Sequence, residues 1–270
     1  MNQKICNIRN ILKEKNSLIH CITNPISINQ CANVILSVGA KPIMAEHPQE
    51  VAEITRTANA LLVNIGNITD VRMESILISA KEANRIGIPI VLDAVGVACS
   101  SLRREFVKEF LKNISPTVIK GNYSEIMALY NESYRSAGVD SDSSLKTEKI
   151  ENAAIELSLI LGVTVLASGK QDIVTDGKIL AKINNGTPLL SSVTGTGCMQ
   201  GALCASFLSA ENSVYSVITA CTILGICGEL ALTDKGIGSF MVNLMDVIST
   251  LKDTDIIKYS DTEVQKIENV

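Results

Sequence analysis

Residues 60–93, ALLVNIGNITDVRMESILISAKEANRIGIPIVLD, decide the fold class of this chain. The segment begins with an aliphatic run at 60–65 that suits a buried strand, and it ends with a second such run at 88–93. Between the two runs we expect Asp70 to cap a helix that extends to about Arg85. Strands that are connected through a helix run parallel, so the segment predicts an α/β protein whose sheet carries helices on both faces.

The same alternation of strand-like and helix-like runs continues on both sides of this segment. Asp176 and Gly177 separate two β-prone runs, which predicts an antiparallel hairpin at one edge of the sheet. Residues 131–146 are polar, so we expect a surface loop there, and the charged segment 252–270 is predicted to be peripheral. Further strands are predicted at 41–45, 117–120 and 163–167, and further helices at 27–38, after Pro48, at 102–111, from Tyr123, at 147–161 and over most of 198–251.

The 270 residues are enough for one large α/β domain or two small ones, and because the alternation resumes after residues 131–146, we expect a single domain over residues 1–270. Hydrophobic residues make up 46% of the chain and charged residues 19%, and the core is expected to be aliphatic because tryptophan is absent. The net charge of −4 argues against a nucleic-acid partner, which would require a basic patch. The uncharged runs 189–210 and 213–228 are too polar or too short to span a membrane, and we expect buried helices there.

Cysteines and histidines limit the sites that can be expected. The N-terminus lacks the apolar core of a signal peptide, and none of the eight cysteines forms a C-x-x-C pair. We therefore expect reduced cysteines and a cytoplasmic protein. The two histidines, His20 and His47, have no partner at metal-ligand spacing, so a structural zinc site is not expected.

A glycine-rich stretch, VTGTGC at 193–198, precedes an uncharged run that suits a buried helix. Such a turn would aim free backbone N–H groups and the positive end of the helix dipole at one point, where phosphate or developing negative charge is stabilised. Cys198 falls in the first turn of this helix, where a thiolate is favoured. The alternative is that the glycines only turn the chain, since short glycine motifs often match by chance.

Polar residues follow the other predicted strands, and parallel strands place such residues at one edge of the sheet. Asp93 and Glu125 are candidate ligands of a hydrated Mg²⁺, although Asp93 could be a turn residue and Glu125 could form a capping box with Asn122. Lys120 could pair with phosphate or be a solvated surface charge, and the turn at Ser168 could meet a nucleotide. Neither a G-x-G-x-x-G motif after the first strand nor a Walker A loop occurs, which disfavours those two nucleotide sites.

Six motifs, in order and at matching spacing, resemble the hydroxyethylthiazole kinase family over about residues 20–251. The cysteine that ends the last motif is the most specific feature, because the wider ribokinase-like superfamily usually has an aspartate base at that position. The motifs are TNP at 23–25, GAKPIMA at 39–45, NIG at 64–66, DAVG at 93–96, KGNYSE at 120–125 and VTGTGC at 193–198.

The resemblance implies a ribokinase-like three-layer αβα fold and an ATP-dependent, Mg²⁺-requiring kinase. The implied reaction phosphorylates the hydroxyl of 4-methyl-5-(2-hydroxyethyl)thiazole, a thiamin salvage step. A homotrimer is implied, with the thiazole site shared so that Asn24 and Met44 face Gly195 and Cys198 of a neighbour. Carried over by position, the site residues are Asn24, Met44, Gly66 and Gly195 at the thiazole, Lys120, Ser168, Gly195 and Gly197 at ATP, Asp93 and Glu125 near Mg²⁺, and Cys198 at the substrate hydroxyl.

Two positions depart from the pattern of this family, which usually has arginine where this chain has Lys120 and proline where it has Ala94. A lysine cannot make the bidentate contact of an arginine, so the affinity for nucleotide is expected to differ. The alanine is expected to loosen the turn that follows Asp93.

Three other functions are weighed against the thiazole kinase. One is another ribokinase-like enzyme, such as a hydroxymethylpyrimidine kinase, and another is a hydro-lyase that repairs nicotinamide nucleotides. Both would be expected to have an aspartate in place of Cys198. The third is a non-catalytic sensor of thiamin precursors, and the presence of Lys120, Glu125 and Cys198 together argues against it.

Overall fold

The computed structural model describes residues 1–136 and 147–267, and this part of the chain contains one nine-stranded sheet. The strands are β1 (Leu18–Ile22), β2 (Lys41–Ile43), β3 (Ala60–Asn64), β4 (Ile90–Asp93), β5 (Val118–Asn122), β6 (Thr164–Ser168), β7 (Asp172–Thr175), β8 (Ile179–Ile183) and β9 (Thr262–Lys266). The helices are α1 (Asn2–Lys15), α2 (Ile28–Ser37), α3 (Val51–Thr57), α4 (Asp70–Ile86), α5 (Ser101–Asn113), α6 (Tyr123–Tyr130), α7 (Thr147–Leu161), α8 (Pro188–Ser192), α9 (Thr196–Ala210), α10 (Val214–Leu230), α11 (Ile237–Thr250) and α12 (Asp253–Tyr259).

The sheet is parallel over most of its width and antiparallel at one edge. The strand order is β2-β1-β3-β4-β5-β6-β7-β8-β9. Strands β1 to β6 pair in parallel, and the pairs that involve β7, β8 or β9 are antiparallel. The hairpin predicted at Asp176 and Gly177 connects β7 to β8. The predicted three-layer α/β architecture is confirmed.

Alternate residues of the central strands enter two separate cores, one on each face of the sheet. In β3, Leu61 and Val63 pack with α3 to α7, whereas Ala60 and Leu62 pack with α1, α2 and α9 to α12. A strand covered on both faces must be aliphatic throughout, which explains the uninterrupted apolar run in the sequence. Fully burying one such leucine or valine stabilises the fold by about 1.5–3 kcal/mol.

Helix α9 occupies the centre of one helical layer. It is buried along almost its whole length and packs against α1, α2, α10, β3 and β4. Helix α10 is similarly buried, so the run 213–228 forms a helix inside the protein, as predicted. Of the run 189–210, only the part in α9 is a buried helix, because α8 has no buried residue and residues 193–195 form a turn. No helix in the described part of the chain has the length and apolar character that crossing a membrane requires.

Some elements differ from the predictions. Asp70 is the first residue of α4 rather than its cap, because Thr69 Oγ1 accepts the capping hydrogen bond from the Arg72 N–H at 3.2 Å. Strand β1 was not predicted because His20 interrupts its apolar run, and the exposed edge strand β9 was not predicted because it has no buried face to impose alternation. Residues 131–136 form no helix or strand, and 137–146 lie outside the described residues.

Candidate active site

Three polar side chains lie next to one another at the carboxyl ends of β3, β4 and β5. The strand register pairs Asn64 with Asp93, and Asp93 with Lys120. Because side chains alternate along a strand, these residues share the face of Leu62, on which α9 packs. The register therefore joins three separate strand ends into one polar row beneath α9.

This polar row is buried and hydrogen-bonded. Asp93 is fully buried and accepts from Lys120 Nζ at 3.1 Å and from Asn64 Nδ2 at 2.7 Å. Two glycines of α9 leave room for the row, since an added Cβ at Gly201 would lie 3.4 Å from Asp93 Oδ2, and one at Gly197 would lie 3.8 Å from Lys120 Nζ. Lys120 is thus a buried ion-pair partner and not a solvated surface charge.

Burial and the opposite charge shift the pKa values of the ion pair in competing directions. Burial acts to lower the pKa of Lys120, but the carboxylates of Asp93 and Glu125 outweigh it and raise that pKa above its usual range. Burial raises the pKa of Asp93, while Lys120 and Asn64 oppose the rise. A buried charge without its partner is strongly destabilising, so the pair is best described as ammonium and carboxylate. Lys120 therefore supplies a fixed positive charge near the start of α9.

Cys198 lies in the first turn of α9, and its sulfur accepts hydrogen bonds from two side-chain amides. Asn24 Nδ2 lies 3.2 Å and Asn64 Nδ2 3.4 Å from Cys198 Sγ. Asn64 Oδ1 accepts from Asn24 Nδ2 at 3.1 Å and from the Gly66 N–H at 2.9 Å. The structure thus brings Asn24, Gly66 and Cys198 together within one chain. This corrects the expectation that Asn24 faces Cys198 of a neighbouring subunit.

The Cys198 thiol is not activated, which corrects the expectation of a favoured thiolate. Burial is the main cause that raises its pKa, and the nearby Asp93 carboxylate raises it further. Hydrogen bonds from Ser27 and Asn24, together with the charge of Lys120, lower the pKa by less. Desolvation of the charged form therefore outweighs the helix N-terminus. At neutral pH Cys198 is a thiol.

The turn before α9 requires glycine and leaves the helix start without a side-chain cap. Gly195 is the N-cap residue with a φ of +99°, a left-handed conformation that glycine adopts without steric cost. An added Cβ there would also lie 3.3 Å from Ser27 Cβ. Thr196 Oγ1 donates to the Leu190 carbonyl at 2.5 Å and ties the preceding segment to the helix. Within the described residues, no side chain caps the N–H groups of this first turn, so the predicted role of the turn in binding phosphate stays a prediction.

Glu125 forms the capping box that its spacing from Asn122 allowed. Glu125 Oε2 accepts from the Asn122 N–H at 2.7 Å, and Asn122 Oδ1 accepts from the Glu125 N–H at 2.9 Å. Glu125 Oε1 also accepts from the Gly96 N–H at 2.6 Å, which anchors the turn after β4. Burial raises the pKa of Glu125 to about 7, and the two N–H groups oppose that rise. The carboxyl group therefore has a structural role whatever else it binds.

The donor set suits a hydrated cation better than a dehydrated one. Within residues 1–136 and 147–267, no three His, Cys, Asp or Glu side chains cluster so as to hold a metal ion themselves. Each oxygen of Asp93 and Glu125 already accepts one hydrogen bond, but a carboxylate oxygen has a second lone pair. These carboxylates fit a Mg²⁺ ion that keeps its waters and binds substrate phosphates.

Met44 and Ser168 lie at the margins of this cluster. Ser168 ends β6 and its Oγ donates to the Gly121 carbonyl at 3.3 Å. Met44 follows β2, is half-buried and packs against the core on the α9 face of the sheet. The described residues show no hydrogen bond that joins either side chain to Cys198. These two predicted site residues are therefore at the same sheet edge but on opposite sides of the polar row.

Comparison of this chain with known proteins identifies the family to which it belongs. The model of the hydroxyethylthiazole kinase family matches residues 9–254. The chain belongs to the hydroxyethylthiazole kinase family. It is 48% identical over 256 residues to hydroxyethylthiazole kinase 2 of Clostridium botulinum strain Hall, covering 93% of this chain and 97% of that protein. The family membership makes this chain a kinase and confirms the resemblance seen in the sequence.

Solved structures agree with this assignment. A hydroxyethylthiazole kinase protein from Pyrococcus horikoshii OT3 superposes with a TM-score of 0.89 at 32% identity, covering 98% of this chain and all of that one. A ribokinase-like superfamily protein from Enterococcus faecalis V583 superposes with a TM-score of 0.64 at 13% identity, over 93% of this chain and 94% of that one. The second match shows the fold alone, and it confirms the ribokinase-like architecture.

Ala94 and Lys120, the two positions at which this kinase departs from the family pattern, are in contact with each other. The Ala94 N–H donates to the Lys120 carbonyl at 2.8 Å. A proline has no N–H and could not make this bond. The alanine therefore adds a hydrogen bond between the turn and β5, which acts against the expected loosening of the turn after Asp93.

Sequence reasoning did not assign Asn64 to the site of this hydroxyethylthiazole kinase family member. Its amide contacts Asp93, Cys198 and Asn24, so it connects the ion pair with the first turn of α9. The sequence placed Asn64 at the end of a strand, but its partners depend on the register between β3 and β4. A polar residue at the same offset in neighbouring strands is the signal that could have identified it.

Proposed function

We propose that this chain transfers the terminal phosphoryl group of ATP to the hydroxyl of 4-methyl-5-(2-hydroxyethyl)thiazole. The bond between the terminal phosphorus and the ADP oxygen breaks, a bond from phosphorus to the alcohol oxygen forms, and the hydroxyl proton passes to an oxygen of the transferred phosphoryl group and from there to solvent. One observation carries the proposal: a neutral hydrogen-bonding group, Cys198, and a buried cation, Lys120, lie at the same helix start. The membership in the kinase family supports this assignment.

The acceptor side of the proposed site is formed by Asn24, Gly66, Met44, Gly195 and Cys198. The amides that donate to Cys198 Sγ keep the sulfur oriented, so that it can meet the substrate hydroxyl. As a thiol it does not abstract the proton at the outset. Phosphoryl transfer through a loose transition state needs little base assistance until late, which suits a group that orients the hydroxyl. Met44 and the backbone around Gly66 suit a small and largely apolar ring.

The donor side of the proposed site combines Lys120 with the start of α9. Lys120, Ser168, Gly195 and Gly197 would meet the nucleotide, the glycines through backbone N–H groups that no side chain caps. Asp93 and Glu125 would hold Mg²⁺ through its waters. When bound, this ion neutralises charge on the polyphosphate. Lys120 and the helix N-terminus stabilise the charge that develops on the transferred group.

We also propose that the chain works as a single cytoplasmic kinase domain that assembles as a trimer. Cys99 is the one exposed cysteine among eight that form no disulfide in the described residues, which suits a reducing compartment. Helices α2 and α11 pack together and expose Leu36, Ile237 and Val242, each more than half accessible, which suits burial against another subunit. Sedimentation of a Val242→Asp variant tests the assembly, with a loss of the trimer expected.

An assay of ADP release tests the proposed reaction. Purified protein is given ATP and Mg²⁺ with the thiazole alcohol, with hydroxymethylpyrimidine, or with neither, and mass spectrometry identifies the phosphorylated product. We expect the thiazole phosphate to form at a rate that exceeds the other two by at least about 100-fold, the discrimination that a few unpaired polar groups supply. Faster reaction with the pyrimidine, or no reaction with either alcohol, would refute the proposal.

A further inference from the structure

A buried carboxylate outside the polar row joins two parts of the proposed nucleotide site. Asp172 begins β7, directly after the turn of residues 168–171 that follows β6. Its Oδ1 accepts from the Gly169 N–H at 3.0 Å, and its Oδ2 accepts from Gln200 Nε2 at 2.5 Å. Gln200 lies on α9, two residues beyond Cys198. One carboxylate therefore holds the 168–171 turn and the first turns of α9 at a fixed separation.

The opposite side of the 168–171 turn is already rigid. Tyr123 Oη donates to the Gln171 carbonyl at 2.6 Å. The ring of Tyr123 lies so close to Gly169 that an added Cβ would come within 2.6 Å of it. The turn is therefore held between Tyr123 and Asp172. Among the hydrogen bonds of the described residues, the contact from Asp172 to Gln200 extends this support to α9.

The charge state of Asp172 suits two donors. Burial raises its pKa to about 6, and the Gly169 N–H and Gln200 act against that rise. At neutral pH the group is therefore mainly a carboxylate, with an oxygen available to each N–H. Hydrogen bonds to a charged acceptor are roughly twice as strong as neutral ones. The hydrogen bond from Gln200 to the Asp172 carboxylate is thus stronger than a typical side-chain hydrogen bond between two packed elements.

We propose that Asp172 and Gln200 are a positioning pair that sets the distance between the 168–171 turn and the start of α9, and thereby the affinity for nucleotide. This inference rests on the proposed function, because it takes Ser168 on the turn and Gly197 on the helix as contacts of one nucleotide. Neither Asp172 nor Gln200 touches the substrate itself. Their effect is geometric, since a displacement of either element separates groups that must bind together.

The decisive variant is Gln200→Leu, which removes the donor with little change in volume or helix propensity. We expect KM for ATP and Kd for a non-hydrolysable ATP analogue to rise roughly 10-fold, the effect of losing one hydrogen bond to a charged group. KM for the thiazole alcohol should change less than about 2-fold, because Asn24 and Cys198 keep their contacts. Gln200→Met serves the same purpose if the leucine variant does not fold.

Two further variants separate positioning from general stability. Asp172→Asn keeps an oxygen for Gly169 and can pair with a rotated Gln200, so we expect partial retention of affinity relative to Asp172→Ala. Ser206→Ala is the matched control, because Ser206 is a buried polar residue of the same helix that bonds only within α9, to the Ala202 carbonyl. The control should shift Tm without altering KM for ATP.

The outcomes distinguish a failure of the Asp172 and Gln200 pair from a failure of the proposed reaction. An unchanged Kd for the analogue in Gln200→Leu, or an equal rise in KM for both substrates, overturns the inference. The analogue is measured without the thiazole alcohol, so a wild-type chain that binds it but phosphorylates no thiazole refutes the proposed reaction and leaves this comparison valid. A wild-type chain that binds no analogue overturns both.

Discussion

Asp93 and Glu125 were predicted from sequence as equivalent magnesium carboxylates, but the structure holds them in different ways. The partners of Asp93 are side chains, Lys120 and Asn64. The partners of Glu125 are backbone N–H groups, those of Gly96 and Asn122. Both carboxylates are buried, so the difference lies in the kind of donor and not in exposure.

This difference indicates which carboxylate can respond to a ligand. Side-chain donors can rotate, so Lys120 can exchange part of its contact with Asp93 for a phosphate when nucleotide binds. Backbone donors cannot rotate in this way. The N–H groups of Gly96 and Asn122 belong to the turn after β4 and to the N-cap of α6, and Glu125 therefore ties that turn to the start of α6. We infer that Asp93 is the adaptable carboxylate of the site and that Glu125 is the rigid one.

Asp93→Asn should have the largest effect. If the asparagine oxygen faces Lys120, its NH₂ group faces the NH₂ group of Asn64, and two donors oppose each other. If Asn64 then rotates to present its oxygen, its NH₂ group faces the Gly66 N–H instead. We expect kcat to fall on the order of 10³-fold, and the unfolding free energy by about 3–5 kcal/mol for the broken buried pair. Steady-state kinetics and urea unfolding measure both.

The exposed Asp246→Asn is the control for this variant and should change neither quantity. A Lys120→Met change combined with Asp93→Asn should cost less stability than the sum of the two single changes, because it leaves no unpaired charge. Additive costs would contradict the ion pair.

Cys198→Ala tests the chain of side-chain contacts that begins at Asp93. The amides of Asn24 and Asn64 lose their sulfur acceptor, so kcat should fall by about 10²-fold, near the low end for loss of a group that assists proton transfer. Cys198→Asp should remain active, since a carboxylate can accept from both amides. If Cys198→Ala changed KM alone and the folded Cys198→Asp were inactive, the cysteine would only line the pocket.

Glu125→Gln should have a smaller effect on turnover than Asp93→Asn. Glutamine has one oxygen for two backbone N–H groups, so one of them faces an NH₂ group. We expect a loss of about 1–3 kcal/mol in unfolding free energy, the cost of one unsatisfied buried donor, and a fall in kcat on the order of 10-fold. A larger fall than in Asp93→Asn, with no loss of stability, would mean that Glu125 contacts the metal directly.

The pH dependence of stability sharpens the same comparison. The pKa of Glu125 is raised to about 7 in the folded chain, so its neutral form contributes stability that is fully present below the unfolded pKa near 4.3. That contribution is lost as the pH rises through about 7. The stability difference between wild type and Glu125→Gln should therefore be larger at pH 5 than at pH 8. Urea titrations at both values measure it, and a difference that grows with pH would contradict burial as the cause.

Sequence reasoning succeeded where local patterns determine structure. The aliphatic runs of β3 and β4 and the hairpin at Asp176 and Gly177 are confirmed. The Asn122 and Glu125 capping box could also be anticipated, because its partners lie three residues apart. These features depend on neighbours in the chain, whose identity the sequence gives directly.

It failed where partners are distant in sequence. The pair of Asp93 with Lys120 depends on the register of β4 and β5, and the position of Asn64 depends on that of β3 and β4. The raised pKa of Cys198 depends on burial, which a helix N-terminus considered alone does not reveal. Spacing identified which residues reach the sheet edge, but the contacts between them came from the strand register and, for Cys198, from the packing of α9.

The hydrogen bond from the Ala94 N–H to the Lys120 carbonyl also offers a spectroscopic probe. The Ala94 amide proton is hydrogen-bonded to β5, the strand that carries Lys120. Its chemical shift and its exchange with solvent therefore report on that strand. Relatives with proline at this position have no such proton. In this chain, one backbone resonance can therefore register the arrival of nucleotide without any label in the site itself.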